Sequence, residues 1–241
     1  MLHPSLRGAR ACVFDAGGTL IHPDWPRLAG LVADLAGRTF GADEMRRAMS
    51  EVLKAAGSEV RKSGAPLTDE RTRHWVFRRV YLALGMGEEA CARAVGRLDA
   101  AHDERHLWCG LDAEAPRVVE GLKCEGLLTA VISNTEDGRL GDALQAAGIA
   151  SSFGLLLDSQ LVGCRKPDAA IFRLALERLG VEAGGAAFVG DSYESDALAS
   201  RAVGMRAILL DPLDLHPESV CPRIRSLGEL LGDARDSTAA S

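Results

Sequence analysis

The segment Ala11–Leu20 has the sequence ACVFDAGGTL, and it decides the fold. An apolar run ends at one carboxylate, Asp15, and a turn with two glycines and a threonine follows. The position two residues after Asp15 is Gly17, which has no side chain. Because open α/β sheets bind their ligands at the carboxyl ends of their strands, the segment predicts a buried strand that delivers Asp15 to a binding turn.

Composition and charge restrict the class of protein. The 241 residues are 47% hydrophobic and 26% charged, which is typical of a soluble globular chain with one large domain or a domain with an insert. The net charge is −6, without a long basic block, so we expect neither nucleic acid nor a membrane as a partner. No apolar stretch approaches the roughly 18 residues of a membrane span.

The expected compartment is the cytoplasm. The apolar run before Asp15 is too short for the core of a signal peptide. The six cysteines are scattered, without a CxxC pair, and we expect them to be reduced thiols.

Five short apolar runs predict β-strands, at residues 11–15, 127–134, 153–159, 186–191 and 206–211. They are almost continuously apolar, which is typical of strands covered on both faces. Helical patterns separate the later strands. The segment 168–180, DAAIFRLALERLG, has Asp168 near its start and Gly180 as the residue after its end. Alternating strands and helices predict a parallel α/β sheet.

Residues 21–126 interrupt this alternation, because they show helical periodicity and almost no strand signal. In the segment 69–85, four apolar residues recur at the spacing of one helix face: Phe77, Val80, Tyr81 and Leu84. An insert directly after the strand of Asp15 overhangs the edge of the sheet where ligands bind. We therefore expect a helical lid.

The predicted domain division follows from this insert. We expect the helix at about 114–125 to rejoin the sheet. The α/β core then consists of residues 1–21 and 109–241, and the helical cap of residues 22–108.

Polar side chains follow four of the predicted strands. They are Asp15, the pair Ser133 and Asn134, Lys166, and the pair Asp191 and Asp196. If the strands are parallel, these groups gather at one edge of the sheet. Carboxylate and carbonyl oxygens are the ligands that Mg²⁺ prefers, and a lysine and a serine suit phosphoryl oxygens. The pattern favours phosphate and magnesium.

Four motifs in this order resemble the haloacid dehalogenase-like (HAD) hydrolase superfamily: Asp15–Leu20, Ser133–Asn134, Lys166–Pro167 and Gly190–Asp196. The resemblance covers nearly the whole chain, including a helical cap after the first motif, as in subfamily I. It implies a Rossmann-like core with a parallel five-stranded sheet. It also implies a Mg²⁺-dependent phosphatase that acts on a small phosphorylated metabolite through an aspartyl-phosphate, as a monomer or a homodimer.

The resemblance also implies a role for each residue. Asp15 is the expected nucleophile, and Lys166 stabilises the charge beside it. The expected substrate-binding residues are Ser133, Asn134, Gly18 and Thr19. The expected metal site consists of Asp15, the Gly17 carbonyl, Asp191 and Asp196, where Asp196 orients the metal shell rather than binding directly.

Gly17 leaves the reaction open, because phosphatases of this family carry an acid–base aspartate there, worth roughly 10² to 10⁴ in rate. One reading is a phosphatase for leaving groups that need little protonation, such as acyl or aryl phosphates. The acid could also come from elsewhere, and His22 and Asp24 are the nearest candidates. Another reading is a HAD-fold binding or regulatory protein with weak or no catalysis.

Two minor alternatives come from the same superfamily. A 2-haloacid dehalogenase also lacks the second aspartate, but such enzymes typically carry tyrosine there and need no metal. A phosphonate hydrolase would need a cap lysine, for which Lys54 and Lys62 are the candidates.

The stretch HDERH places His102 and His106 four residues apart, as in a zinc-protease motif. Asp103 stands where that motif needs glutamate, so we expect a solvated helix face instead.

Overall fold

The computed structural model describes residues 1–63 and 74–232. The helices of this part of the chain are α1 (Trp25–Ala36), α2 (Ala42–Ser63), α3 (Trp75–Ala83), α4 (Glu88–Glu104), α5 (Ala115–Cys124), α6 (Leu140–Ala146), α7 (Ser159–Val162), α8 (Ala169–Leu179) and α9 (Ala199–Ala202). The strands are β1 (Ala11–Phe14), β2 (Ile21–Pro23), β3 (Trp108–Leu111), β4 (Leu128–Ser133), β5 (Leu155–Asp158), β6 (Ala186–Gly190), β7 (Arg206–Leu210) and β8 (Arg223–Ile224).

The main sheet is parallel, with the strand order β5-β4-β1-β6-β7-β8. The α/β fold and all five predicted strands are confirmed. The expected number of five strands is wrong by one, because β8 adds a sixth at the edge. Two residues are too few to give a periodic pattern, so the sequence does not predict this strand.

Strand β1 lies at the centre of the sheet, between β4 and β6. Phe14 is paired with Val131 on one side and with Val189 on the other. Asp15 follows directly, so it lies between the carboxyl ends of the two neighbouring strands.

The side chains of β1 alternate between two apolar layers. Cys12 and Phe14 belong to the layer that includes residues of α5 and α6, whereas Ala11 and Val13 belong to the layer that includes residues of α8. All four are fully buried. Coverage on both faces explains why the strand is continuously apolar in sequence.

Helix α8 begins and ends where its sequence predicts. The Asp168 side chain accepts the Ala170 N–H at 2.9 Å, which caps the first turn. Gly180 has φ of 64°, the left-handed conformation that glycine adopts without a Cβ penalty.

Helices α1–α4 follow β2 and precede β3 along the chain, and they have an apolar cluster of their own. Its fully buried members include Leu28, Val32, Met45, Val80, Tyr81 and Leu98. The near absence of strand signal predicted here is wrong at both ends, since β2 and β3 form an antiparallel pair. This pair brings the two ends of the helical insert side by side. The exact division into core and cap stays a prediction.

The predicted helical segment 69–85 is described only from residue 74 onward, and its first residues lie outside the described part. Phe77, Val80 and Tyr81 are buried, as the helix-face pattern predicts. None of the helices in the described ranges combines the length and the apolar character needed to cross a membrane.

Candidate active site

The turn after β1 holds Asp15 in a buried position. The Asp15 N–H donates to the Val189 carbonyl at 2.9 Å, and the residue is 6% exposed. The Ala16 carbonyl accepts the N–H groups of Leu20 at 2.8 Å and Ile21 at 2.9 Å, which closes the turn. The Thr19 hydroxyl lies 3.4 Å from Asp15 Oδ2, and donation across this distance would orient the carboxylate.

Lys166 bridges two carboxylates. Its Nζ donates to Asp15 Oδ1 at 2.5 Å and to Asp196 Oδ1 at 2.6 Å, and all three side chains are buried. The loop of Lys166 is held by Asn134, whose Nδ2 donates to the Lys166 carbonyl at 2.8 Å and whose Oδ1 accepts the Lys166 N–H at 2.9 Å. The structure thus gives Asn134 a contact that positions Lys166.

Burial and mutual repulsion set the pKa values of these groups. Burial raises the pKa of Asp15 to about 6, since desolvation and the Asp196 charge together outweigh the opposing effect of Lys166. Desolvation, and then the Asp15 and Asp196 charges, raise the pKa of Asp191 well above its usual range. Burial alone would lower the pKa of Lys166, but the two carboxylates outweigh it and raise that pKa.

Oxygen atoms of Asp15, Asp191 and Asp196 lie within 4.8 Å of one another. Lys166 alone does not neutralise three carboxylates. A divalent cation would remove this excess of negative charge, and the all-oxygen donor set is the one that Mg²⁺ prefers. The residues therefore fit the expected metal. Asp196 also accepts the Ser192 N–H at 3.0 Å, so its two oxygens already have partners.

Gly18 makes a close approach to this carboxylate cluster possible. Its φ is +85°, and a Cβ there would lie 2.1 Å from Asp191 Oδ2. Only glycine fits both the backbone conformation and the space.

Gly17 faces the indole ring of Trp108. A Cβ on Gly17 would lie 3.0 Å from Cζ3, 3.2 Å from Cε3 and 3.5 Å from Cη2 of that ring. The side-chain position two residues after Asp15 is therefore crowded by an aromatic group from β3. No sequence signal identifies Trp108, because its contact with the turn depends on how the insert folds back.

A pocket extends from these groups towards the helical insert. It is lined by the expected residues Asp15, Gly17, Ser133, Asn134, Lys166, Asp191 and Asp196. The insert contributes residues of α2, α3 and β3, among them Val60, Trp75, Phe77 and Trp108. The structure thus brings these seven residues together under side chains of the insert, whereas Gly18 and Thr19, the other two expected substrate-binding residues, do not line the pocket.

The alternative candidates from the sequence lie elsewhere. His22 and Asp24 do not line the pocket. His22 Nε2 lies 3.6 Å from Asp112 Oδ2, and Asp24 caps α1 by accepting the Arg27 N–H at 3.2 Å. Lys54 and Lys62 do not line the pocket either, and Lys54 Nζ donates to the Leu215 carbonyl.

The expectation of a solvated face for His102 is wrong, because this side chain is buried and Asp137 covers it. His102 Nε2 lies 2.9 Å from Asp137 Oδ2. The N–H of Leu107 points to His102 Nδ1 at 3.5 Å, and the N–H of Trp108 points to His106 Nδ1 at 3.2 Å. The donor to His106 Nδ1 favours a ring that carries its proton on Nε2. A protonated Nε2 on His102 donates to Asp137 and has no lone pair for a metal.

Burial, and then the neighbouring His102, lower the pKa of His106 to about 4. Its ring is consequently neutral near pH 7. The cluster of two histidines and one aspartate is best described as a hydrogen-bonded pair beside a neutral imidazole.

Comparison with known proteins identifies the family. The sequence model of the family described as haloacid dehalogenase-like hydrolase matches residues 9–204. This match spans most of the chain, so the protein belongs to the haloacid dehalogenase-like hydrolases.

A mouse relative, haloacid dehalogenase-like hydrolase domain-containing protein 3, is 44% identical over 63 residues. The match covers 26% of this chain and 25% of the mouse protein. The similarity therefore reaches only about a quarter of the relative's length.

Two solved structures illustrate the range of chemistry on this fold. A HAD phosphatase from Thermococcus onnurineus has a TM-score of 0.59 and 23% identity, with coverage of 94% of this chain and 100% of that one. The L-2-haloacid dehalogenase from Xanthobacter autotrophicus has a TM-score of 0.62 and 18% identity, with the same two coverages. Similarity at this level shows the shared fold and leaves the reaction to the site itself.

Proposed function

We propose that this protein is a Mg²⁺-dependent phosphatase that acts on a small phosphorylated metabolite through a covalent intermediate on Asp15. The observation that carries the proposal is the cluster of Asp15, Asp191 and Asp196, in which Lys166 bridges Asp15 and Asp196. A nucleophile, a fixed cation and a metal-type carboxylate set at the carboxyl end of a parallel sheet suit phosphoryl transfer.

The proposed reaction has two balanced steps. An Asp15 carboxylate oxygen attacks phosphorus, and the bond from phosphorus to the leaving oxygen breaks with its electron pair on that oxygen. Water then cleaves the aspartyl-phosphate, which releases inorganic phosphate and restores the carboxylate. Lys166, 2.5 Å from Asp15, stabilises negative charge on the phosphoryl group, and Ser133 donates a hydrogen bond to it.

Asp15, Asp191 and the Gly17 carbonyl would hold Mg²⁺, and Asp196 would orient the metal shell. The bound ion would supply positive charge to the phosphoryl oxygens. Asp196 suits the indirect role because Lys166 and the Ser192 N–H already engage its oxygens.

A second candidate function is phosphate binding with weak or no catalysis. The observation that favours it is Gly17, which has no acid–base side chain and whose Cβ position is crowded by Trp108. Phosphonate hydrolysis is less well supported, because neither Lys54 nor Lys62 lines the pocket.

Steady-state hydrolysis of p-nitrophenyl phosphate and acetyl phosphate, with and without Mg²⁺, tests the proposal. We expect metal-dependent turnover that Asp15→Asn abolishes and that Asp43→Asn, a change of the same kind at an exposed site of α2, leaves intact. Tight Mg²⁺-dependent phosphate binding without turnover would support the second candidate. Chloride release from 2-chloropropionate without Mg²⁺ would instead establish a dehalogenase.

A further inference from the structure

We propose that Trp108 is the specificity-determining residue of this site, and that the substrates are phosphate monoesters with an aromatic leaving group. The inference deepens the proposed phosphatase function and rests on it.

The first observation is the position of the Trp108 ring. Its six-membered ring lies against Gly17, at 3.0 to 3.5 Å from the place of a Cβ, and it lines the same pocket as Asp15. The turn after Asp15 is therefore covered at Gly17 by an aromatic ring, and no polar side chain stands at that position.

The second observation is that Trp108 is held firmly. Its backbone is paired with Pro23 of β2, and its N–H donates to His106 Nδ1 at 3.2 Å. Its ring packs against Phe77 with 5.8 Å between the ring centroids. Two of these contacts hold the backbone and one holds the ring, so a flat group that packs against the ring costs little further side-chain entropy.

The third observation is the apolar surface that continues from Trp108 into the insert. Helix α3 contributes Trp75, Val76 and Phe77 to the pocket, and α2 contributes Leu53 and Val60. A ring on the leaving oxygen of a substrate would thus be surrounded by apolar and aromatic side chains.

The fourth observation concerns charge. Among the described lining residues, lysine and arginine occur only at Lys166 and Arg165, which are neighbours on the loop between α7 and α8. The lining also includes the carboxylates of Glu136 and Asp137. Within residues 1–63 and 74–232, a second phosphate or a carboxylate on the substrate would find no lining lysine or arginine beyond that loop, and these carboxylates would repel it.

The chemistry of departure agrees with this environment. Gly17 supplies no proton to the leaving oxygen. A phenol ionises with a pKa of about 10, as the tyrosine side chain does, so a phenolate leaves without protonation far more readily than an aliphatic alkoxide. An aromatic leaving group therefore suits both the wall and the missing acid.

The test separates stacking from leaving-group acidity. Phenyl phosphate and 1-naphthyl phosphate carry a ring, whereas acetyl phosphate has a good leaving group without one. For Trp108→Leu, we expect kcat/KM to fall about 5- to 50-fold on the ring substrates, mainly through KM, and less than 3-fold on acetyl phosphate. Trp108→Phe should restore most of the loss.

Trp25→Leu is the matched control, because Trp25 is buried in the cluster of α1–α4 and does not line the pocket. We expect it to leave the ratio of aryl phosphate to acetyl phosphate activity unchanged. Equal losses on all three substrates in Trp108→Leu, or no loss on any, would overturn the role of Trp108.

Calorimetry keeps this inference separate from the proposed function. If the wild type shows no turnover above Asp15→Asn, the phosphatase proposal fails, and binding to the wild type with saturating Mg²⁺ then decides about Trp108. Tighter binding of 1-naphthyl phosphate than of inorganic phosphate, lost on adding Trp108→Leu, would support the aromatic site. Equal affinities would refute it.

Discussion

The contact between Gly17 and Trp108 makes a quantitative prediction about stability. Gly17 does not have a positive φ, so alanine can adopt its backbone conformation. The lower entropy of the unfolded chain alone would stabilise Gly17→Ala by about 0.4–1 kcal/mol. The new Cβ, however, would lie 3.0 and 3.2 Å from two ring carbons of Trp108. Overpacking of this kind costs about 1–3 kcal/mol.

The two effects sum to a net loss between about 0 and 2.6 kcal/mol for Gly17→Ala. Each kcal/mol corresponds to about 2–4 °C in Tm. In a Trp108→Leu background the ring is gone, and Gly17→Ala should be neutral or stabilising. The expected coupling energy between the two positions is therefore about 1–3 kcal/mol.

Wild type, Gly17→Ala, Trp108→Leu and the double variant form a double-mutant cycle, and urea unfolding in EDTA measures the free energy of unfolding of each. Gly30→Ala in α1 is the control, because no heavy atom lies within 4 Å of its Cβ position. It should stabilise the protein by about 0.5–1 kcal/mol. A gain in stability of the same size for Gly17→Ala would refute the contact with Trp108. Additive stability changes for Gly17→Ala and Trp108→Leu would refute it as well.

Three further predictions concern the carboxylates. Gly18→Ala should lower the free energy of unfolding by about 1–2 kcal/mol, because alanine is strained in the left-handed backbone conformation. The new Cβ should also displace Asp191 and weaken Mg²⁺ binding. Urea unfolding measures the first effect and metal titration the second, and an unchanged Mg²⁺ affinity would contradict the prediction. Lys166→Met should lower the free energy of unfolding in EDTA by about 3–5 kcal/mol, because it leaves the buried carboxylates of Asp15 and Asp196 without their cation. A loss below about 1 kcal/mol would argue against a stabilising ion pair between Lys166 and these carboxylates. Burial alone would raise the pKa of Asp211, but two backbone N–H groups and Arg223 outweigh burial and lower that pKa. The ionised Asp211 therefore stabilises the folded protein above about pH 4, and this contribution is lost as the pH falls further. Urea unfolding should show the difference between wild type and Asp211→Asn shrinking from pH 5 to pH 3; a constant difference would count against it.

Local chemistry explains which parts of the fold the sequence predicts well. Helix α8 begins after Asp168 and ends before Gly180 because a side-chain cap and a left-handed glycine act within a few residues of each other. The five longer strands of the sheet are almost continuously apolar because both faces are covered, and this property is visible in the sequence.

Other features depend on contacts that no local pattern records. Strands β2 and β8 have three and two residues, too few for a periodic signal, and the four residues of β3 are all only partly buried. His102 is buried because Asp137, from the loop after β4, folds over it. Asn134 holds the backbone of Lys166, a relation that the order of the motifs does not reveal.

The sequence by itself determined where five of the strands lie along the chain and which polar residues follow them, because strand formation and turn chemistry are local. Parallel pairing then brings Asp15, Lys166 and Asp191 to one edge. Only the tertiary structure decided what lies over Gly17. The Trp108 ring reaches that position because β2 and β3 pair and the helices between them pack as a unit, and such packing depends on the whole insert rather than on any single segment.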